Sequence, residues 1–291
     1  MLTETLLGLS REIYHHPKYP GERSRLSPTP YLTLPFRKED LDHYQIRPSQ
    51  IGIGRKIDYK ISEGWWYSED IRKFIPFKHT AVDFSLPYGF PIASPCDGYA
   101  MSSYYAYPFA PNGQTMSNTQ EEMPHFGMGY FVQIYNPDQN RFVQLGHLSD
   151  VSEFIPFSLP VKKDGKWIPT NNTQTPEEIL TPGNSNVVFV RTGENIGFVG
   201  LSGLTYGEDY QQGFERPIPV DPAKINTIHI PHIHLDEWMR NYVTGKKDWR
   251  RDPYDIYKRR ESYPTHSNGL NIGKEPLFLT DESGRPLFAD S

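Results

Sequence analysis

The chain of 291 residues contains a single cysteine, Cys96. One thiol can neither close an internal disulfide nor build a cysteine-based zinc site, so both devices are excluded. Long apolar runs are missing as well: no stretch approaches the ~18–20 residues that span a bilayer as a helix. The opening residues, Met1 to His16, lack a basic leader and hold only a short apolar patch, so no signal peptide is expected there. Repeats of ~20–50 residues and low-complexity tracts are also lacking. Charge of one sign is not in large excess: 30 Lys+Arg against 35 Asp+Glu leave −5, which gives no general reason to expect nucleic acid. The residues themselves leave localisation open.

Apolar residues make up only 36% of the chain, while Pro (27) and Gly (23) are plentiful, a balance that favours a loop-rich globular protein over a helical bundle. Aromatics reach 14%, including 19 Tyr, and suit strands and binding surfaces. Residues 1–60 read as an extension, with a short helix from about Thr3 and then a stretch dotted by Pro17, Pro20, Pro28, Pro30 and Pro35. A strand-rich block follows over 61–238. Its strand candidates are 81–85, 98–103, 130–136, 142–147, 186–191, 196–201 and 228–235, each bounded by turn residues. The run from Tyr135 to Arg141 reads as a hairpin loop. Polar insertions near 150–185 and 206–225 have the length of site-forming loops.

Residues 239–291 form a basic, aromatic tail. Between Arg240 and Arg260 stand eight Lys/Arg against three Asp, with Trp249, Tyr254 and Tyr257 among them. Such a segment can grip an anionic polymer, but the plainer expectation is a solvated helix face tied down by its aromatics.

Three short patterns carry metal chemistry. In Pro231-His232-Ile233-His234-Leu235-Asp236, a strand would put His232, His234 and Asp236 on one face, with the imidazoles ~6–7 Å apart. One can then ligate an ion while the other flanks it, unless the pair simply faces solvent from an edge strand. His79 and Asp83 are ordinary zinc ligands by type, but a regular strand would hold them ~13 Å apart. They converge only if the backbone turns between them. His147 ends the strand after the hairpin, where a partly buried polar residue is the common explanation. His229 is out of phase with the pair at 232 and 234. His125, His15 and His16 read as surface residues, and Trp65, Trp66, Tyr104 and Tyr105 as core or stacking aromatics. Cys96 reads as a small buried filler.

In chain order, His79-xxx-Asp83, His147-Leu148-Ser149 and His232-x-His234 resemble the motif series of the lysostaphin-like metallopeptidases, family M23 of the LytM type. Flanking runs extend the resemblance. His79 to Ala93, Asp97-Gly98, and Arg191 to Gly203 follow the family's pattern, and the likeness covers roughly residues 75–238. Ala81 stands where the family usually has Gly, and the two insertions are longer than usual. The resemblance implies an all-β fold: a twisted antiparallel sheet or open barrel, here with a partly helical N-terminal extension and a C-terminal tail. It implies Zn2+ held by His79, Asp83 and His234, with His147 and His232 beside a zinc-activated water. Asp236 would partner an imidazole or face solvent.

The implied activity is zinc endopeptidase action on peptide cross-links or stem peptides of bacterial peptidoglycan, hence an extracellular or periplasmic site of action. A non-catalytic wall-binding scaffold or activator is the alternative, although such relatives usually lose ligands and all five positions are kept here. A histidine phosphocarrier would need neither Asp83 nor His234. D-alanyl dipeptidases of related site design usually space their first His and Asp farther apart.

Overall fold

The structure, a computed structural model, describes residues 29–43, 61–64, 66–67, 78–107, 126–158, 161–163, 166–168, 174–203, 231–240, 247–256, 263 and 272–290. Their strands are β1 (Ile61–Glu63), β2 (Trp66–Tyr67), β3 (Lys78–His79), β4 (Val82–Ser85), β5 (Pro91–Ala93), β6 (Gly98–Tyr107), β7 (Phe126–Asn136) and β8 (Arg141–Val151). They continue with β9 (Phe157–Ser158), β10 (Val161–Lys163), β11 (Lys166–Ile168), β12 (Val188–Val190), β13 (Asn195–Val199), β14 (His232–Arg240) and β15 (Lys247–Arg251). Helix is confined to Lys38–His43 and Pro176–Ile179 among the described residues. The main sheet runs β1-β4-β14-β8-β7-β6-β12 and stays open rather than closing into a barrel. The all-β antiparallel expectation therefore holds, in its open form. The only parallel strand pairing described is the short one between β6 and β9.

Strands β6, β7 and β8 form the centre because their sequences are rich in aromatic and β-branched residues that fit a pleated, buried surface. Between β7 and β8 the side chain of Asn136 accepts from the Gln139 amide, and Asn140 turns through φ +53°. A short polar side chain tolerates that left-handed conformation, which completes the expected hairpin.

Alternation then sends each strand's residues to opposite faces. One face carries Val132, Ile134, Val143, Leu145, Ile233 and Leu235 into the main core. The other carries Tyr135, Phe142, Met101 and Trp238 into a smaller cluster with Ile179. There Phe142 stacks on Trp238 with centroids 4.2 Å apart, and Arg240 lies over both rings. Full burial of each such side chain is worth about 1.5–3 kcal/mol, so a sheet covered on both faces has a rigid middle. Ile179 and Gln174, from the insertion after Ser149, close the aromatic side: the Gln174 carbonyl accepts from Arg240.

The segments read as extension and tail contribute to the main core. Leu32, Leu34, Phe36 and Leu41, with Tyr254, Tyr263, Leu277 and Phe278, belong to the same buried cluster as the sheet residues. Backbone hydrogen bonds join the two segments to each other, among them Leu32 N–H to the Leu277 carbonyl and Leu34 N–H to the Leu287 carbonyl.

The tail corrects one expectation. Lys247–Arg251 is not a solvated helix face but strand β15, paired antiparallel with the second half of β14. The physical reason is an unfilled edge: β4 pairs only with His232 to Leu235, leaving the amides beyond available to another strand. Arg240 and Arg251 are buried accordingly. Of the expected strand over 228–235, residues 228–230 lie outside the described residues, and β14 runs from His232 on to Arg240. The helix near Thr3, the insertion at 206–225, His15, His16, His125, His229 and Lys258 to Arg260 lie outside the described residues.

Cys96 is the buried filler expected, with burial pushing its thiol pKa far up. Tyr104 is fully buried against Tyr130. No helix among the described residues is long and apolar enough to cross a membrane.

Candidate metal centre

Strand β14 lies between β4 and β8, with His234 opposite Asp83 on one side and Gly146 on the other. His232 pairs with Ser85, and His232, His234 and Asp236 share a face by alternation. Gly146 puts no side chain of its own beside His234, and the Met128 side chain takes up that space. A Cβ there would meet the Met128 methyl at 2.5 Å.

The sequence problem at His79 and Asp83 is solved by a break in the strand. β3 stops at His79, the chain bends at Ala81, and β4 starts at Val82. The bend turns the imidazole back, so His79 Nε2 lies 3.2 Å from Asp83 Oδ1. His234 Nδ1 is 2.9 Å from the same oxygen and 3.3 Å from His79 Nε2. Ligands ~2.0–2.1 Å from one tetrahedral zinc stand roughly 3.3 Å from each other. The three atoms therefore already have the separations that zinc imposes. The donor set fits too: two imidazole nitrogens and a carboxylate oxygen converge on one point, and none of them is a fixed cation.

Hydrogen bonds on the far side of the rings fix which nitrogen points inward. His79 Nδ1 contacts the Gly64 carbonyl at 2.8 Å. A carbonyl only accepts, so Nδ1 carries a proton, and in the neutral ring Nε2 presents its lone pair inward. His147 Nδ1 likewise donates to the Ser202 carbonyl at 2.9 Å, leaving its Nε2 as an acceptor. Ser202 is itself held, since its hydroxyl accepts from the Tyr130 amide.

His147 occupies an unusual backbone position. β8 pairs with β14 up to Gly146 and with β13 from Leu148 onward, and the β7 register shifts across the same stretch. At this junction His147 adopts φ +62°, a left-handed conformation that costs a non-glycine residue of order 1–3 kcal/mol. The bulge aims the ring at the histidine pair: its centroid is 4.8 Å from His232 and 5.6 Å from His234. His232 Nε2 stands 3.6 Å from Asp83 Oδ2, beyond hydrogen-bond reach.

All five residues are thus together and largely buried. Burial opposes ionisation of Asp83, but the charges of His79, His232 and His234 prevail and hold its carboxyl well below the usual range. Burial, followed by the neighbouring His232 and His234, pushes His147 well below its ordinary value. His234 is lowered too, chiefly by burial, with Asp83 opposing. The site therefore holds a carboxylate beside two imidazoles, His147 and His234, that are biased towards the neutral form, the protonation that a metal requires. A concavity of about 740 Å³ lined by Arg37, Phe154, Phe189 and Arg191 lies elsewhere and includes none of the five.

Asp236 is not solvated: it is 1% exposed and faces Arg250 at 3.5 Å. Sequence reasoning missed Gly64, whose contribution is a backbone carbonyl without a side-chain signature, and Arg250, one of several cations in the tail. Ser202 lay within the quoted Gly-rich run, but nothing in that run assigned its carbonyl a task.

No family model and no curated protein matches the chain. Solved structures similar to it include the catalytic domain of a prophage-encoded M23 protein, EnpA, from Enterococcus faecalis. That likeness has 16% identity over 61% of this chain and 77% of the other, with a TM-score of 0.29. The catalytic domain of the antimicrobial peptidase lysostaphin from Staphylococcus simulans is 14% identical over 66% and 89%, at a TM-score of 0.32. A zinc-containing peptidase from Vibrio cholerae is 14% identical over 77% of this chain and 38% of its own, at 0.27. Likeness at this level is no guide to activity, which has to be argued from the site. In the order of its motifs and in its open antiparallel sheet, the chain is similar to the lysostaphin-like metallopeptidases of family M23.

Proposed function

We propose that this chain is a zinc-dependent endopeptidase that hydrolyses peptide cross-links or stem peptides of bacterial peptidoglycan. The observation that carries the reading is the convergence of His79 Nε2, Asp83 Oδ1 and His234 Nδ1 at 2.9–3.3 Å, with two further imidazoles beside them. Three protein ligands are the arrangement of a catalytic zinc site, because a fourth position is left for water or substrate. A zinc ion held there supplies Lewis acidity towards a peptide carbonyl and lowers the pKa of water.

The chain's own residues do the rest. His147 Nε2, unprotonated and anchored through Nδ1 to Ser202, takes the proton of the attacking water. His232, beside it, hydrogen-bonds the developing oxyanion, and the proton taken up by His147 passes to the leaving amine. Asp83 keeps its negative charge among the imidazoles and so favours a divalent ion over a proton. The choice of peptidoglycan rests on the motif series from His79 to His234, and such a substrate places the action outside the cytoplasm.

The test is metal content of the purified protein with Asp83→Ala alongside, followed by digestion of purified peptidoglycan. About one zinc per chain, lost in the variant, together with released muropeptides is the expected result. Zinc without digestion would turn the reading towards a wall-binding scaffold. No zinc even after reconstitution would overturn the enzyme.

A further inference from the structure

Arg250 lies on β15, outside residues 75–238 that carry the motif resemblance. β4 and β15 lie end to end along one side of β14. β4 pairs as far as Leu235 with Val82, and β15 begins with Glu237 opposite Arg251. Asp236 is the single β14 residue between these pairings. The gap also coincides with the bend at Thr80 and Ala81 that lets His79 reach Asp83.

Arg250 spans this gap. Its Nη1 donates to the Thr80 hydroxyl and stands 3.5 Å from Asp236 Oδ2. Thr80 is 8% exposed and Asp236 1%, so the guanidinium joins two buried groups that have poor access to water. Thr80 directly follows His79, and Asp236 lies two residues beyond His234 on the same face. One cation from the tail thus ties together the two backbone segments that carry the histidine ligands.

We infer that Arg250 is a positioning residue for the metal centre: by bridging Thr80 and Asp236 it fixes the bend that turns His79 onto Asp83. The inference rests on the proposed zinc site. Arginine suits the task because Nη1 carries two N–H donors in fixed directions on a planar group, so one nitrogen addresses both the Thr80 hydroxyl and the Asp236 carboxylate, whereas the donors of lysine rotate on a flexible stem.

The experiment measures zinc affinity by chelator competition for the unsubstituted chain, Arg250→Met, Arg250→Lys and Thr80→Val. Thr80→Val keeps the side-chain shape and the contact of Arg250 with Asp236, removing only the hydroxyl. Glu237→Gln serves as a control that weakens the fold from the opposite face of β14. Partners of this kind are worth about 10–100-fold in metal affinity. Arg250→Met is expected to lose that factor, Thr80→Val and Arg250→Lys a smaller one, and Glu237→Gln none despite a lower unfolding midpoint.

Unchanged affinity in both Arg250→Met and Thr80→Val, with zinc bound by the unsubstituted chain, overturns the positioning role alone. An equal loss in Glu237→Gln also overturns it, since general destabilisation then accounts for the effect. If the unsubstituted chain binds no zinc, the peptidase reading fails and this inference with it.

Discussion

Two clusters of buried charge share strand β14, one on each face. On one face Glu237 meets Arg141 through both Nε and Nη2, and Tyr31 donates to the same carboxylate at 3.1 Å. Both members of the pair are fully buried, and the charges balance one to one. On the other face Asp83 is surrounded by His79, His232 and His234, whose inward atoms are lone pairs or shared protons rather than fixed cations. The first cluster is complete with protein atoms alone. The second has the donors and spacing of a site that takes a cation from outside. Burial and proximity of charge are common to both, so what separates a structural pair from a candidate metal centre is whether the protein supplies the neutralising charge itself.

The largest effect that would sharpen this contrast is expected from His234→Ala, which removes one of three ligands. Zinc content should fall from about one per chain to none, and muropeptide release should vanish, while circular dichroism keeps the β signature. Retained zinc or full activity in this variant would break the ligand assignment. His147→Ala should keep its zinc yet lose about 10²–10⁴-fold in turnover, the usual worth of a general base. Steady-state kinetics beside elemental analysis would check this, and an unaltered rate would remove His147 from the chemistry.

The complete cluster should respond in the opposite sense. Glu237→Ala strands Arg141 without its buried partner and should cost about 3–5 kcal/mol of stability. Urea unfolding would measure it, and zinc bound per folded chain should stay the same. If zinc is lost while stability is not, the two faces are not independent.

The smallest effect is a pH dependence. Burial and its histidine neighbours hold the His147 pKa in the folded chain below the unfolded value of ~6.5. The unfolded state therefore binds more protons as pH falls through that value, and stability declines towards the lower folded pKa. His234 is shifted in the same direction and adds to the slope. Metal-free protein should thus unfold at lower urea as pH drops below ~6.5, and His147→Gln should flatten the trend. A profile that is level through this window would contradict neutral, buried imidazoles.

Much of this was legible in the sequence. Alternation alone put His232 and His234 on one face, and the spacing of His79 and Asp83 allowed them to converge only through a turn between them. The hairpin after Asn136 was readable because turn residues declare their own conformation. Other features were hidden for physical reasons. The strand at Lys247–Arg251 has the composition of a solvated helix, and an open stretch of edge on β14 overrode that local preference. Pro91–Ala93 was passed over as a strand because three residues carry no periodicity.

The sequence by itself determined the hairpin and the shared face of His232 and His234, through turn propensity and side-chain periodicity. The all-β fold and the set of five residues were legible only through the resemblance of the ordered motifs to the lysostaphin-like metallopeptidases. Only the tertiary structure decided that five residues spread from 79 to 234 meet within a few ångströms, that Gly64 and Ser202 orient two of the rings, and that a tail arginine spans the bend. Such contacts join residues up to 170 positions apart, as Thr80 and Arg250 are, and no local pattern encodes a distance between remote strands.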